Sequence, residues 1–239
     1  MIVEKYWRKF FGEHLTSVEV FKEYILPEIR DKLYNYVWVD LFCGEGNLIL
    51  PMLEEVPSEK RKAFFEKHIY LFDIQKRMVE AAVRKAISYG IPEELARKKI
   101  LVRDTIKNYP VFIFNKGLPV FHITNPPYFY KGALRKSFLK DDLEAYFKGE
   151  NERYQDLYQI ALANDLRYGV SRMIYIIPTN FLYGGRISDN IRADLFKHYT
   201  IEKVIFFETK VFDYTGTHVM LAFLKEKRKT IVLILFLKG

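Results

Sequence analysis

The sequence is poor in the residues that hold many small extracellular proteins and metalloproteins together. Its 239 residues include a single cysteine, Cys43, which cannot form a disulfide framework or a cysteine-based zinc site. None of the five histidines lies at metal-ligand spacing from another histidine or from that cysteine. We therefore expect neither disulfides nor a bound metal ion.

Long apolar runs are also missing. The longest covers residues 231–237 and has the length of a strand, whereas a membrane-spanning helix needs about 20 predominantly apolar residues. Glu4 and Lys5 stand too close to the amino terminus for a secretory signal peptide. These absences predict a soluble, cytoplasmic protein without a membrane partner.

The remaining composition is that of one packed domain. No tract rich in proline, glycine or serine divides the chain, and 49% of the residues are hydrophobic, so we expect a single domain over residues 1–239. The formal net charge is +8. A basic surface favours a polyanionic partner such as nucleic acid, because phosphate neutralisation releases counterions, although a lysine-rich surface also serves solubility alone.

Short apolar runs alternate with helical periodicity, which is typical of an α/β fold with a mostly parallel sheet. The predicted strands are residues 37–42, 69–73, 100–103, 120–124, 173–177, 204–207 and 219–224. The predicted helices are residues 18–33, 76–88, 154–168 and 191–198. The loop between the last two strands is long for a crossover, so we expect seven strands with an antiparallel strand at the edge. Segment 130–152 is predicted to be a surface loop or insertion, and 230–239 an extra strand.

The first predicted strand runs into a glycine-containing turn, with a helix expected from Leu48. Glycines let a ligand approach the backbone closely, and a helix amino terminus offers free N–H groups. In open α/β sheets, ligands bind at the carboxyl ends of the strands. A purely structural turn has the same pattern, but we expect this one to hold a cofactor through Asp40, Phe42, Gly44 and Gly46.

Acidic residues end the next two predicted strands. Asp73 can accept both hydroxyls of a ribose, and Asp104 can accept an adenine amino group, while Ile74 can form an apolar wall for the adenine ring. Acids at strand ends also cap helices, but on consecutive strands beside a glycine turn they describe a nucleoside-shaped crevice. A dinucleotide fingerprint would need a third glycine where Ile49 stands, which argues against NAD.

The fourth predicted strand ends in Asn125-Pro126-Pro127-Tyr128. The two prolines fix two φ angles, so the turn is rigid and exposes carbonyl oxygens and the Asn125 amide. The exocyclic amine of an aromatic base is a poor nucleophile, because its lone pair is delocalised into the ring. Acceptors at the Asn125 side chain and the Pro126 carbonyl would favour a pyramidal amine, and Tyr128 can stack on the base. The motif predicts methyl transfer to such an amine, with positioning supplying most of the catalysis.

In these motifs the chain resembles the amino methyltransferases of the N6-adenine DNA type, in the class whose cofactor motifs precede the catalytic motif. The resemblance covers residues 12–225. It implies a Rossmann-like methyltransferase fold with S-adenosylmethionine as the cofactor. It also implies that DNA is the partner, as a duplex from which the target adenine is flipped into the site.

The resemblance assigns roles to both ends of the chain. The N-terminal segment, residues 1–35, would close over the methionine end of the cofactor through Thr16, although Ser17 stands where proline is usual. Downstream, Phe212 would face the target base from the side opposite the tyrosine of the catalytic motif. Tyr214 is the alternative for that role.

The family normally carries a target-recognition domain after the catalytic domain, and none is evident here. A separate specificity subunit, a recognition domain further along a longer protein, or a substrate that needs neither would each account for this. RNA adenine and a glutamine side-chain amide are alternative substrates, since release-factor glutamine methyltransferases share the catalytic motif.

The motifs also bear on two further functions, a non-catalytic nucleic-acid-binding module and a nuclease. A non-catalytic nucleic-acid-binding module would need a damaged motif, and both motifs look intact. Glu208 and Lys210 have the spacing of a metal-dependent nuclease, which is found fused to some restriction-modification methyltransferases. No suitable upstream aspartate accompanies them, so we interpret that spacing as chance.

Overall fold

The computed structural model describes residues 16–136, 140–207 and 218–227. The strands are β1 Val37–Asp40, β2 Ile69–Asp73, β3 Ile100–Val102, β4 Val120–Thr124, β5 Arg172–Pro178, β6 Tyr199–Phe206 and β7 Val219–Glu226. Phe212, Tyr214, the predicted strand 230–239 and residues 1–15 of the N-terminal segment lie outside the described residues.

The seven strands form one sheet in the order β3-β2-β1-β4-β5-β7-β6. Neighbours among β1 to β5 pair in parallel, whereas β7 pairs antiparallel with both β5 and β6. The predicted mostly parallel sheet with antiparallel pairing at one edge is confirmed. The strand order reverses between β1 and β4, and such a switch point leaves a crevice at the carboxyl ends of the strands.

Helices cover both faces of the sheet. The α-helices after β1 are α1 Arg61–His68, α2 Lys76–Ser88, α3 Glu93–Lys99, α4 Lys140–Glu144, α5 Leu157–Tyr168, α6 Asn180–Tyr183 and α7 Asp189–His198. Short 3₁₀ segments are Leu50–Glu55, Ser58–Lys60, Val111–Lys116, Lys131–Lys136, Ala145–Phe147, Gly149–Asn151 and Gly185–Ser188. The helix predicted from residue 154 begins at Leu157, because Asp156 caps it and accepts the N–H of Tyr158 at 3.3 Å.

The predicted helix 18–33 is helical but irregular. The α-helical turns Val18–Val20 and Leu26–Ile29 enclose a π-helical turn, Phe21–Ile25, and a 3₁₀ segment, Arg30–Asn35, follows. Pro27 has no N–H to donate to the preceding turn, so the regular hydrogen-bond ladder is interrupted there.

The helix expected from Leu48 is wrong. Turns continue through Ile49, and a 3₁₀ segment follows at Leu50–Glu55. The Ile49 and Leu50 N–H groups both donate to the Gly46 carbonyl, at 3.3 and 2.9 Å, and Pro51 stands in the first turn of the 3₁₀ segment, where its missing N–H leaves no acceptor unpaired.

Segment 130–152 differs from the irregular surface loop that its mixed charge predicts. It forms 3₁₀ turns and the short helix α4, and it buries Leu134, Leu143 and Phe147 against the sheet. Three apolar side chains spaced widely along a charged segment show no clear periodicity, yet their burial stabilises the segment by about 1.5–3 kcal/mol for each side chain.

The core has two apolar layers, one on each face of the sheet. One layer joins the N-terminal helical turns to α1, α2 and α3, and includes Phe21, Phe65 and Val83. The other joins α5, α7 and the segment after β4, and includes Phe147 and Leu195. The layers fix the strand ends, where the polar side chains of the sequence motifs converge.

Candidate active site

A cleft opens at the carboxyl ends of β1 to β4, and its empty space, including the part open to solvent, is about 870 Å³. Open α/β sheets bind ligands at this end of their strands. The sequence-predicted residues that line it are Thr16, Asp40, Phe42, Gly44, Asp73, Ile74, Asp104, Asn125 and Pro127. The fold therefore brings both ends of the predicted site, the glycine turn and the catalytic motif, to one cavity.

The turn after β1 approaches the cleft through Gly44. Gly44 has φ +53° and its N–H donates to Asp73 Oδ2 at 2.9 Å, which joins the turn to the end of β2. Gly46 has φ +79° and does not line the cleft. A Cβ added to Gly46 would lie 2.6 Å from Leu50 Cδ1, so the residue packs against that side chain. Only Gly44 of the two glycines is thus placed to touch a ligand, and Gly46 serves the turn and its packing.

Asp40 ends β1 and is buried. Its Oδ1 accepts hydrogen bonds from Thr124 Oγ1 at 2.7 Å and from the Phe42 N–H at 3.0 Å. Burial raises the pKa of Asp40 to about 6, because removing the carboxylate from water disfavours its charged form.

Asp73 ends β2 with both carboxylate oxygens engaged by the backbone. Oδ1 accepts the Gln75 N–H at 2.8 Å, and Oδ2 accepts that of Gly44. Burial raises its pKa, and these two hydrogen bonds oppose the rise. Each oxygen keeps a second lone pair, so the carboxylate can still accept ribose hydroxyls. Ile74 beside it is 39% exposed and lines the cleft as the predicted apolar wall.

Asp104, after β3, is covered by a residue that sequence reasoning missed. Tyr146 lies in the segment after β4 and donates its hydroxyl to Asp104 Oδ2 at 2.7 Å, while Oδ1 accepts the Lys107 N–H at 3.2 Å. The Lys107 ammonium lies 4.4 Å from the centre of the Tyr146 ring. Tyr146 itself lines the cleft. A tyrosine within a mixed-charge segment gives no local signal of such a role.

The catalytic motif follows β4. Asn125 is buried and its amide donates to Thr16 Oγ1 at 3.2 Å, which brings the N-terminal segment to the catalytic turn. The Tyr128 hydroxyl oxygen lies 2.5 Å from Asn125 Oδ1 and 2.7 Å from the Ile176 carbonyl oxygen, and its single proton can be donated to either acceptor. Pro126 is buried, and Pro127 lines the cleft.

Asn47 is a second residue that the sequence motifs did not single out. It lines the cleft, and its amide donates to the Thr16 carbonyl at 2.8 Å. Its side-chain oxygen accepts from the ammonium of Lys85 on α2. Asn47 therefore connects the N-terminal segment, the glycine turn and α2. Its position directly after the Gly-x-Gly pattern is the sequence signal that could have identified it as a site residue.

Two absences apply to residues 16–136, 140–207 and 218–227. Within those ranges, no group of three or more histidine, cysteine, aspartate or glutamate side chains is arranged to bind a metal ion. No helix in the same ranges is long and apolar enough to cross a bilayer.

The sheet order and the cleft at its switch point define a Rossmann-like methyltransferase fold. The DNA complex of DrdV superposes with a TM-score of 0.66 at 14% identity, over 92% of this chain and 27% of that one. A type I restriction-modification methyltransferase subunit from Streptococcus thermophilus gives a TM-score of 0.58 at 18% identity, over 88% of this chain and 43% of that one. A Listeria monocytogenes protein provisionally assigned as a class I S-adenosylmethionine-dependent methyltransferase gives 0.52 at 17% identity, over 88% and 59%.

Residues 67–212 match the model of the Eco57I restriction-modification methylases, and the chain belongs to this family. S-adenosylmethionine is its cofactor, as the sequence predicted. No curated protein matches the chain significantly. The chain spans less than two thirds of the length of each of these three solved structures.

Proposed function

We propose that this protein transfers a methyl group from S-adenosylmethionine to the N6 amine of adenine in DNA. The observation that carries the proposal is the shared cleft. Asn125 and Pro127 of the catalytic motif line the same cavity as Asp73 and Asp104, the acids suited to a nucleoside. The methyl donor and the amine acceptor can therefore meet inside one cavity.

The residues in the cleft fit the cofactor. Asp73 is suited to the ribose hydroxyls, Ile74 to one face of the adenine ring and Asp104 to its amino group. Asp40 and Gly44 lie towards β1, where an acid and a bare backbone suit the methionine part. When bound, the sulfonium supplies an activated methyl group, so the protein needs no strong base to begin the reaction.

Asn125 is suited to holding the target amine. An amide oxygen has two lone pairs, so Oδ1 can accept the Tyr128 hydroxyl and still accept one hydrogen of the amine. The Pro126 carbonyl is suited to the second hydrogen. Two acceptors at the two hydrogens favour a pyramidal nitrogen whose lone pair points at the methyl group, and positioning then accounts for most of the rate.

Three observations favour DNA as the substrate. The chain belongs to a family of restriction-modification methylases, and its net charge is +8. The DrdV structure, which shares its fold, is a complex with DNA. A paired adenine cannot reach a buried amide, so the proposal includes base flipping, which costs a few kcal/mol for a paired base. A specificity subunit or a recognition domain elsewhere would select the sequence.

The test is to supply methyl-labelled S-adenosylmethionine with duplex DNA, single-stranded DNA, RNA and a release factor in parallel, and to identify the labelled unit after digestion. We expect N6-methyladenine from DNA. If the label is found only in RNA adenine or only in glutamine, DNA is rejected as the substrate. The proposed reaction, methyl transfer to a planar NH₂ group, would still stand. Asn125→Ala serves as the control for transfer by this site.

A further inference from the structure

An exposed aromatic pair lies beyond the end of β5. Tyr183, the last residue of α6, is 75% exposed, and Phe206, the last residue of β6, is 44% exposed. Their rings stack with centroids 6.1 Å apart. Ile187 is also exposed, four residues along the same loop. Single exposed apolar side chains are ordinary, but a contiguous group of them marks a binding surface.

The same loop carries an uncompensated positive charge. Arg186 is exposed and stands between Tyr183 and Ile187 in sequence. The ion pair of this loop joins Arg192 to Asp189, which leaves Arg186 without an acidic partner among the described residues. We call Tyr183, Arg186, Ile187 and Phe206 the rim patch. Aromatic faces beside an arginine are the combination that binds nucleic acid strands.

The loop beneath the rim patch is fixed from the protein side. Arg192 donates through Nη1 to the Phe181 carbonyl at 2.6 Å and through Nη2 to the Gly185 carbonyl at 2.8 Å. Gln159 on α5 donates to the Ile187 carbonyl at 3.1 Å. These bonds hold the backbone while the aromatic and basic side chains point to solvent, so the surface is ordered before a ligand arrives.

Two glycines leave bare backbone next to the patch. A Cβ at Gly184 would lie 2.2 Å from the Asn180 carbonyl oxygen, so only glycine fits there. Gly185 has φ +50°, and a Cβ added to it would meet no atom within 4 Å. Gly185 therefore faces open space, in which a strand can approach the backbone closely.

The rim patch lies at the same edge of the sheet as the catalytic motif. Strands β4 and β5 pair in parallel, and β6 runs in the same direction because both β5 and β6 pair antiparallel with β7. The carboxyl ends of these three strands therefore share one edge, which carries the catalytic turn after β4, the loop after β5 and Phe206 at the end of β6. A chain of contacts also joins the two regions: the Tyr128 ring packs edge-on against that of Tyr158, with centroids 6.2 Å apart, and the Tyr158 hydroxyl donates to Asn180 Oδ1, at the start of α6, at 3.3 Å. A strand whose base enters the site can thus run along this edge and over the patch.

We propose that the rim patch binds the DNA strand that carries the target base, with Tyr183, backed by Phe206, stacking on an unpaired neighbouring base and Arg186 contacting a phosphate. This inference rests on the proposed function, since it takes DNA as the substrate. It adds a binding surface outside the cofactor cleft, which would hold a strand opened for methyl transfer.

The test measures the affinity of fluorescein-labelled single-stranded DNA by anisotropy, with the full chain at several salt concentrations. Tyr183→Ala should weaken binding by about 5- to 150-fold, the value of one base–aromatic stack, and Tyr183→Phe should leave it within about twofold. Arg186→Ala should reduce the slope of log K against log salt by about 0.7, the value for one phosphate contact on a single strand. Tyr34→Ala, at an exposed tyrosine before β1 on the opposite edge of the sheet, is the matched control and should bind normally.

Cofactor affinity and the urea midpoint are measured for every variant. We expect unchanged cofactor affinity, and a fall in the urea midpoint of Tyr183→Ala no larger than that of Tyr34→Ala, since each of these substitutions removes one ring of an aromatic pair. If the wild type binds and methylates DNA while Tyr183→Ala and Arg186→Ala bind it normally, the rim patch is rejected and the proposed function stands. If the wild type methylates only RNA or protein, the DNA assignment fails for both proposals. A fall in the urea midpoint of Tyr183→Ala that is larger than that of Tyr34→Ala, with unchanged DNA affinity, would mean that the patch serves the packing of this chain, which also overturns the inference.

Discussion

At the scale of single residues, the hydrogen bond between Tyr128 and Asn125 changes the role that the motif predicts for the tyrosine. From the sequence, Tyr128 is a stacking surface for the base. In the structure its hydroxyl lies within hydrogen-bond distance of both Asn125 Oδ1 and the Ile176 carbonyl oxygen, and its single proton, donated to Oδ1, would orient the amide that is suited to the target amine. One side chain can serve both roles, because stacking uses the ring face and the hydroxyl lies in the ring plane.

Asn125→Ala should abolish methyl transfer and leave cofactor binding nearly unchanged. The substitution removes the acceptor for the target amine, whereas the nucleoside contacts of the proposed site come from Asp73 and Asp104. We expect a loss of at least about 100-fold in kcat, in the range of removing one preorganised hydrogen-bonding group from an active site. Labelled-methyl transfer and calorimetry with S-adenosylmethionine check both parts.

Asn115→Ala, at an exposed asparagine in the 3₁₀ segment after β3, is the matched control and should retain both properties. A joint loss of transfer and of cofactor affinity in Asn125→Ala would contradict the assigned role. It would indicate that the amide holds the cleft together through its bond to Thr16 instead.

Tyr128→Phe and Tyr128→Ala separate the hydroxyl from the ring. The phenylalanine variant loses a hydrogen bond worth about 0.5–1.5 kcal/mol, so kcat should fall by about 2- to 13-fold. The alanine variant also loses a base stack worth about 1–3 kcal/mol, so its kcat/KM should fall further. Equal kinetic losses in the two variants would remove stacking from the role of Tyr128.

At the scale of elements, the segment between β4 and α5 contributes a wall of the cofactor cleft. It reaches Asp104 through Tyr146, and Asn151 supports that tyrosine by donating to its carbonyl at 3.0 Å. Burial and the neighbouring Asp104 carboxylate raise the pKa of the Tyr146 hydroxyl, so it remains a donor at neutral pH. The element that the sequence predicts as a loop is thus part of the candidate site.

Tyr146→Ala should weaken S-adenosylmethionine binding more than Tyr146→Phe does. The phenylalanine variant keeps the wall and loses one hydrogen bond to the Asp104 carboxylate, which corresponds to about 1.5–3 kcal/mol at most. The alanine variant also exposes the adenine side of the cleft to water. Calorimetry measures both affinities. Unchanged affinity in both variants would exclude Tyr146 from the cofactor site.

The junction of β1 and β4 predicts a pH dependence of stability. The pKa of Asp40 is about 6 in the folded protein against an ordinary value near 3.8, so the folded state binds the proton more tightly between these values. Stability from this group is therefore greatest at low pH and is lost as the pH rises from about 4 to about 6, by about 3 kcal/mol.

Asp40→Asn removes this loss. The free energy of unfolding of the variant, relative to wild type, should rise by about 2.4 kcal/mol between pH 4 and pH 7, because the unfolded carboxyl is already partly ionised at pH 4. Urea denaturation at both pH values measures it, and the comparison cancels the loss of hydrogen-bond strength to Thr124 and Phe42. A pH-independent difference would mean that Asp40 is already ionised at pH 4 in the folded protein.

At the scale of the whole molecule, a buried polar network joins the sheet to one helical layer. Asp165 on α5 accepts hydrogen bonds from the Tyr109 hydroxyl at 2.7 Å, the Tyr175 hydroxyl at 2.6 Å and His122 Nδ1 at 2.5 Å. His122 Nε2 then accepts the N–H of Leu41, in the turn after Asp40, at 3.1 Å. The network therefore connects α5, β4 and β5 to the turn that approaches the cofactor cleft.

Asp165→Ala should destabilise the whole domain by about 3–5 kcal/mol, because it leaves three buried donors without their acceptor. Glu150→Ala, which removes an exposed partner of Arg167, should cost less than about 1 kcal/mol and serves as the control. Both are measured by urea denaturation. A loss below about 1 kcal/mol in Asp165→Ala would mean that water satisfies the network as well as the carboxylate does.

The sequence by itself determined six of the seven strands to within two residues, the acids at their ends and the turn at Asn125, whereas β6 begins at Tyr199, five residues before its predicted start. Strand periodicity and proline chemistry act over a few residues, so they can be read without knowledge of the fold. The sequence also determined that these residues lie at one edge of the sheet, because the carboxyl ends of parallel strands lie on the same side. The same local signals failed at Leu48, where turns and a 3₁₀ segment stand in place of the expected helix.

Only the tertiary structure decided the contacts between distant segments. Three such contacts depend on how whole layers pack. They are the hydrogen bond from Tyr146 to Asp104, the hydrogen bond from Asn125 to Thr16, and the close approach of Gly46 to Leu50. The rim patch likewise exists because β6 and the loop after β5 end side by side. Such contacts join side chains that carry no shared local pattern, and burial of the apolar layers, rather than any motif, sets the distance between them.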